Sequence, residues 1–170
     1  MFDLATLSSG MPGLTQAAGT FLSEAASICL EDQSHSSGVV LSIHGSQIAE
    51  GPLTWPLVSD QHRRTYNDLD EATEYGACAV AIVIIKQLMG QVVVERSKKG
   101  KGFDYWLGAA DDDDLFQDRT RLEVSGIRHG SDGAVAARLK VKEAQIKQST
   151  GAALIVIVEF SRPKARIVTK

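Results

Sequence analysis

Near the C-terminus, the apolar run Leu154-Ile155-Val156-Ile157-Val158 stands between Gly151 and Pro163. Side chains of a strand alternate between two faces, so a strand can be apolar at every position only where both faces are covered. The run therefore predicts a central strand, from Ala152 to Phe160, in a sheet with further structure on both sides. A second run, Ala77 to Ile85, is apolar nearly all round a helix and is expected to be buried on several sides. Together they call for a layered α/β (α+β) domain, and 170 residues suffice to enclose its core.

Periodicity and turn residues order the rest of the chain. Thr15 opens a helical pattern running to about Glu31. Val39 to His44 alternates as a strand, Gly45-Ser46 reads as a turn, and Gln47 to Ala49 can return beside it. Pro52, Pro56 and the polar run Ser59 to Asn67 predict an irregular connection. Asn67 or Asp68 can cap the second helix, which Gly90 ends. Three short strands follow, over Gln91–Arg96, Phe103–Leu107 and Arg121–Gly126, then a helix over Ser131–Ser149 stopped by Gly151. Beyond Pro163, Ala165 to Val168 is expected as a last edge strand. The result is one domain, 1–170, with a helix and β-hairpin extension over 1–66 and an αβββαβ core over 67–170.

Charge and composition narrow the function classes. The net charge of −3 excludes a chain that binds nucleic acid by its overall field, so any such surface is a local basic patch. Arg96, Lys98, Lys99 and Lys101 crowd one loop and can form that patch. Cys29 and Cys78 lie far apart in apolar settings, which suits buried thiols and neither a disulfide framework nor a metal cluster. His35, His44, His62 and His129 have no ligand spacing, so zinc is not expected. Asp111 to Asp114 lack the glycine and spaced glutamate of a calcium loop and read as a hairpin tip. No Gly-x-Ser-x-Gly surrounds any serine. No basic stretch precedes an apolar run at the N-terminus, and Ala77 to Ile85 is shorter than the roughly 20 residues that span a bilayer. A cytoplasmic protein without membrane contact is expected.

The chemistry concentrates in two acids. Asp104 stands early in the second of the three strands, and Glu123 lies mid-strand in Leu122-Glu123-Val124-Ser125. An acid flanked by Leu and Val points opposite to both, and if these strands form a hairpin the two carboxylates can meet on one face. Two adjacent carboxylates repel, so holding them together makes sense chiefly around a divalent cation. On the helix that follows, Val135, Leu139, Lys142 and Ile146 share one stripe, which puts Lys142 among the residues that face the sheet. Gln145 sits at the edge of that stripe. Glu95 is expected to pair with Arg96 or Lys98, and Trp106, more than Tyr105 or Phe103, to enter the core.

Gly102-Phe103-Asp104 and Glu123-Val124-Ser125, with a preceding acidic helix and a following amphipathic one, resemble the PD-(D/E)XK nuclease superfamily. The resemblance covers Asp68 to about Phe160 and implies a restriction-endonuclease-like fold. It departs from the family at Ser125, which stands where the motif lysine belongs. The resemblance implies Mg²⁺ or Mn²⁺ held by Asp104 and Glu123, with Glu74, or Glu71 as second choice, as a further acid. Lys142 becomes the replacement cation. Lys99 and Lys101 in the glycine-rich loop, Ser125 and Gln145 become the substrate contacts. The implied activity is hydrolysis of nucleic acid, DNA foremost, in phage defence, restriction or repair, with a second copy or a partner subunit to help grip it. The alternatives are a catalytically silent member of the same fold that binds nucleic acid or protein, and an unrelated α+β domain in which Asp104 and Glu123 never meet.

Overall fold

The computed structural model describes residues 1–109, 119–147 and 150–170. In chain order its elements are β1 (Phe2–Asp3), a 3₁₀ helix (Leu4–Ser9), α1 (Gln16–Asp32), β2 (Val39–Gly45), β3 (Ala49–Thr54), α2 (Asp60–Thr65) and α3 (Leu69–Met89). They continue with β4 (Gln91–Arg96), β5 (Tyr105–Ala109), β6 (Thr120–Ile127), α4 (Asp132–Ile146), β7 (Ala153–Glu159) and β8 (Lys164–Thr169). The chain is an α+β fold in which the described strands form one mixed sheet, in the order β1-β3-β2-β8-β7-β6-β5-β4.

The long apolar helix is built as its ends demand. Asp68 accepts from the Asp70 and Glu71 N–H groups at the start of α3, and Gly90 closes it in the left-handed region, at φ 67°. By length and composition α3 could cross a membrane, but burial accounts for its apolarity. It packs between α1 and the sheet, and small residues let the helices approach: a Cβ on Gly76 would lie 2.9 Å from the Ala26 Cα. Gly126 plays the same part against the sheet, where a Cβ would meet the Thr73 carbonyl oxygen at 2.4 Å. The other face of β6 and β7 is covered by α4, whose Val135, Leu139 and Ile146 pack on Ala153, Ile155 and Ile157. All of β7 is buried, as its unbroken apolar run requires.

Several sequence expectations change. The strand over Ala165 to Val168 is not an edge. β8 lies between β2 and β7, parallel to the first and antiparallel to the second. Its alternation, Ala165 and Ile167 buried beside exposed Arg166, reflects one open sheet face and not an open edge. Through β8 the first 66 residues share the sheet and the core instead of being appended to them. The hairpin's return strand is Ala49–Thr54, later than expected and including Pro52. Pro52 is tolerated because β1 pairs only with Leu53 and Thr54, leaving the outer edge of β3 open there. The polar run after Ser59 is not irregular throughout but holds α2. Its capping box uses His62 at the position where Glu or Gln is usual. The helix expected over Ser131–Ser149 spans Asp132–Ile146, with Ser131 as its cap; Gln148, Ser149 and the run Asp111 to Asp114 lie outside the described residues.

Candidate functional site at the splayed end of β5 and β6

β6 turns two chemically different faces to its neighbours. Leu122 and Val124 enter the main core, on the side of α3. Arg121, Glu123 and Ser125 alternate with them, on the side of α4, and are the buried polar residues of the strand. Arg121 is held at the end of α4 by donating to the Ile146 carbonyl at 3.1 Å and to the Gly151 carbonyl at 2.6 Å. Glu123 and Ser125 instead meet two cations one helical turn apart. Lys142 donates to Glu123 Oε1 at 2.5 Å, and Arg138 donates to Ser125 Oγ at 3.0 Å.

The position of Asp104 follows from where β5 begins. The ladder pairs Tyr105 with Leu122 and runs towards Thr120, so β6 outruns its partner beyond Leu122. Asp104 does not lie in the strand, as its motif suggested, but immediately before it. Its N–H donates to the Leu122 carbonyl at 2.8 Å, and its Oδ2 accepts the Val124 N–H at 2.8 Å. A side-chain oxygen thus takes over where the backbone ladder stops. Extending the register by one residue sets Asp104 opposite Glu123, and both side chains line the same cavity. The two acids thus come to one cavity, as strand alternation predicted.

Burial governs their protonation. Only 5% of the Glu123 side chain is exposed, and this burial, with the Asp104 charge second, pushes its carboxyl up to about 7 despite Lys142. Burial also raises Asp104, against the pull of the Val124 N–H and of Lys142. Lys142 pairs with Glu123, and Arg96 adds a weaker pull on Asp104.

Two cavities meet at this cluster. The larger, about 670 Å³, is walled by the Lys98–Gly102 loop and by Gln145, with Asp104, Glu123 and Lys142 at its floor. The loop turns at Gly100 and Gly102, at φ 87° and 77°, which needs residues without a Cβ. Lys98, Lys99 and Lys101 are exposed along it, and among the described residues no carboxylate pairs with them. The smaller cavity, about 310 Å³, lies past the start of β5, between α3 and α4. Glu71, Glu74, Ser125 and Arg138 line it, and Asp104, Lys142 and Arg96 border both.

The residues singled out from the sequence therefore fall into one region, in distinct positions. Asp104, Glu123 and Lys142 converge; Lys99, Lys101 and Gln145 form the rim of one cavity, and Glu74 and Ser125 line the other. Glu74 is exposed on α3 and reaches Asp104 through its charge. Glu71 accepts from the Tyr75 hydroxyl at 3.4 Å. Among the described residues no group of three or more His, Cys, Asp or Glu side chains converges. Two expectations fail. Glu95 pairs with Arg119, at 2.7 Å, because the β-bulge after Val93 shifts the strand end. Tyr105, not Trp106, enters the core, because β5 starts at Tyr105 and sets the alternation from there.

Sequence reasoning missed Arg138 and the double role of Arg96. Arg138 was there to be found, since it precedes Lys142 by four residues and shares its helix face. The scattered histidines have local uses: His35 Nε2 lies 3.0 Å from the Phe160 carbonyl, and His62 closes the α2 cap. No protein-family model, curated protein or solved structure matches this chain, so the geometry of this cluster is what a functional reading has to rest on.

Proposed function

We propose that the chain is a metal-dependent nuclease-like domain that hydrolyses phosphodiester bonds in nucleic acid, DNA foremost, on a restriction-endonuclease-like core of the PD-(D/E)XK type. What supports this most is the pairing of half-buried Asp104 with buried Glu123 at the floor of a cavity walled by lysines that no carboxylate pairs with among the described residues. Burying two acids side by side is costly and serves no packing purpose. The order α3-β4-β5-β6-α4-β7 adds to it, since it repeats the expected αβββαβ sequence of elements.

The donor set fits a hard divalent cation. Mg²⁺ is commonly held by one or two carboxylates with water completing its shell, and Asp104 and Glu123 supply that number. Bound there, Mg²⁺ or Mn²⁺ would lower the pKa of a coordinated water and offset charge on the scissile phosphate. The chain's own residues supply the remaining roles. Lys142, anchored on Glu123 Oε1, keeps a positive charge at the floor of the cavity where Ser125 cannot. Lys99 and Lys101 bind the backbone without reading sequence, and Gln145 contacts it at the rim. Glu74, in the lining of the smaller cavity with Asp104, is the acid assigned to orient water in this reading.

The test is cleavage of DNA and RNA in Mg²⁺ or Mn²⁺ by the wild type, Asp104→Ala and Glu123→Ala. The wild type is expected to cut and both variants to fail; equal cleavage by all three overturns the reading. A second reading, a catalytically silent nucleic-acid-binding or protein-interaction subunit, is favoured by one observation. Lys142 already occupies Glu123 Oε1 at 2.5 Å, as a structural ion pair would. Undiminished binding of oligonucleotides without any cleavage or metal binding would select it.

A further inference from the structure

The two cavities that meet at Asp104 differ in charge, and the difference has a direction. On the Lys98–Gly102 side, exposed lysines and the backbone of a glycine-rich loop form a wall along which a polyanion can run. On the other side the cavity has less than half the volume, and its outer rim on α3 carries two exposed carboxylates, Glu71 and Glu74. A phosphate backbone continuing past that rim would meet both. Yet Arg96, Arg138 and Lys142 also line this cavity, with Asp104 between the two sides, and Arg138 stands at the Ser125 hydroxyl. Arg138 gives one N–H to Ser125 Oγ, and among the described residues no carboxylate pairs with it. Its remaining donors have the fork geometry that matches a phosphate.

We infer that the smaller cavity is a terminal-phosphate subsite, in which Arg138 and Ser125 hold the phosphorylated end of a strand whose body lies along the Lys98–Gly102 wall. This rests on the hydrolytic reading above and adds a substrate class to it: the chain acts on strand ends. One water is consumed per bond cut. Its oxygen joins phosphorus, the P–O bond to the rest of the strand breaks, and a proton goes to the leaving oxygen. The unit released is the short terminal piece seated in the cavity. Arg138 is a binding residue here, placed by Ser125 and by its turn of α4.

Binding separates this inference from the hydrolytic reading. Short oligonucleotides ending in phosphate, the same strands ending in hydroxyl, and a covalently closed circle are titrated by fluorescence anisotropy against the full chain in Ca²⁺. Phosphate-ended strands are expected to bind about tenfold tighter, the scale of one charge-assisted hydrogen bond. Arg138→Ala should bring the ratio of the two affinities close to one, and Arg138→Lys should restore part of it. Equal binding of both ends by the wild type overturns the subsite, as does an Arg138→Ala loss that is uniform across all three ligands. In Mg²⁺ or Mn²⁺, cutting of the circle as fast as the linear strand also overturns it. If phosphate ends are preferred and nothing is cut, the subsite stands and the hydrolytic reading falls.

Discussion

The two faces of β6 are made from alternate residues of a single strand, yet they obey opposite rules. Towards α3, Leu122 and Val124 join a continuous apolar core, and Gly126 lets the helix backbone come close. Towards α4, Arg121, Glu123 and Ser125 are buried and polar, each held by a side chain or carbonyl of the neighbouring layer. Only the first face stabilises by removing apolar surface from water. The second places ionisable groups where they cost free energy unless something cationic comes to them. A strand that keeps such a face beside an accessible cavity is spending stability on a site, which is how functional residues commonly sit in a fold.

The largest effect should come from the apolar face. Leu122→Ala is expected to lower unfolding free energy by about 2–5 kcal/mol in urea titrations, the range for large-to-small changes in a core. Oligonucleotide affinity per folded molecule should be unchanged. Next comes Glu123→Gln, which keeps the shape of the polar face and removes its charge. Cleavage in Mg²⁺ should drop by at least about 100-fold, in line with disturbed metal sites. Its melting temperature at pH 8 should not fall. A loss of stability as large as that of Leu122→Ala would erase the distinction between the faces.

How far the sequence disclosed this depends on whether a feature was local. The meeting of Asp104 with Glu123 was readable because strand alternation and the order of elements decide it together. The position of Lys142 was readable because it interrupts the stripe of Leu139 and Ile146 on its own helix. What escaped depended on distant partners. β8 lies inside the sheet because β2 comes to its far side, and β2 is more than a hundred residues earlier. β1 has two residues and no periodicity to detect. Tyr105 takes the core position in place of Trp106 because the register sets it opposite buried Leu122, and that register is not written in β5 itself.

The titration of Glu123 gives a third way to sharpen the contrast, on metal-free protein. Its carboxyl moves from an ordinary 4.5 to about 7 on folding, so the unfolded chain holds the proton less tightly than the folded one. The stabilising contribution of protonated Glu123 is complete below pH 4.5 and is lost as pH rises through about 7. In full it amounts to roughly 3 kcal/mol, of which about 1–2 kcal/mol falls between pH 6 and 8. Stability of the wild type minus that of Glu123→Gln, followed by urea unfolding, should decline across that interval. Metal affinity should move the other way and tighten with pH, because binding needs the proton gone. A pH-independent difference would mean that Lys142 already holds the carboxylate charged.

The smallest change expected is at Ser125, and it asks whether every polar position on the α4 face matters equally. Ser125 is only 9% exposed and its hydroxyl accepts one bond, from Arg138. Arg138 itself is exposed, so a guanidinium released by Ser125→Ala can turn to water and leaves no charge buried alone. The loss should therefore stay within about 1 kcal/mol, the usual net worth of such a bond. Lys142→Ala is the matched opposite, because it strands Glu123 with Asp104 as its nearest charge and drives both towards protonation. If Ser125→Ala destabilised the fold as much as Lys142→Ala, Arg138 and Ser125 would belong to the same structural ion network as Glu123. If it does not, the two cations of α4 have separate work, one beside the acids and one facing the smaller cavity.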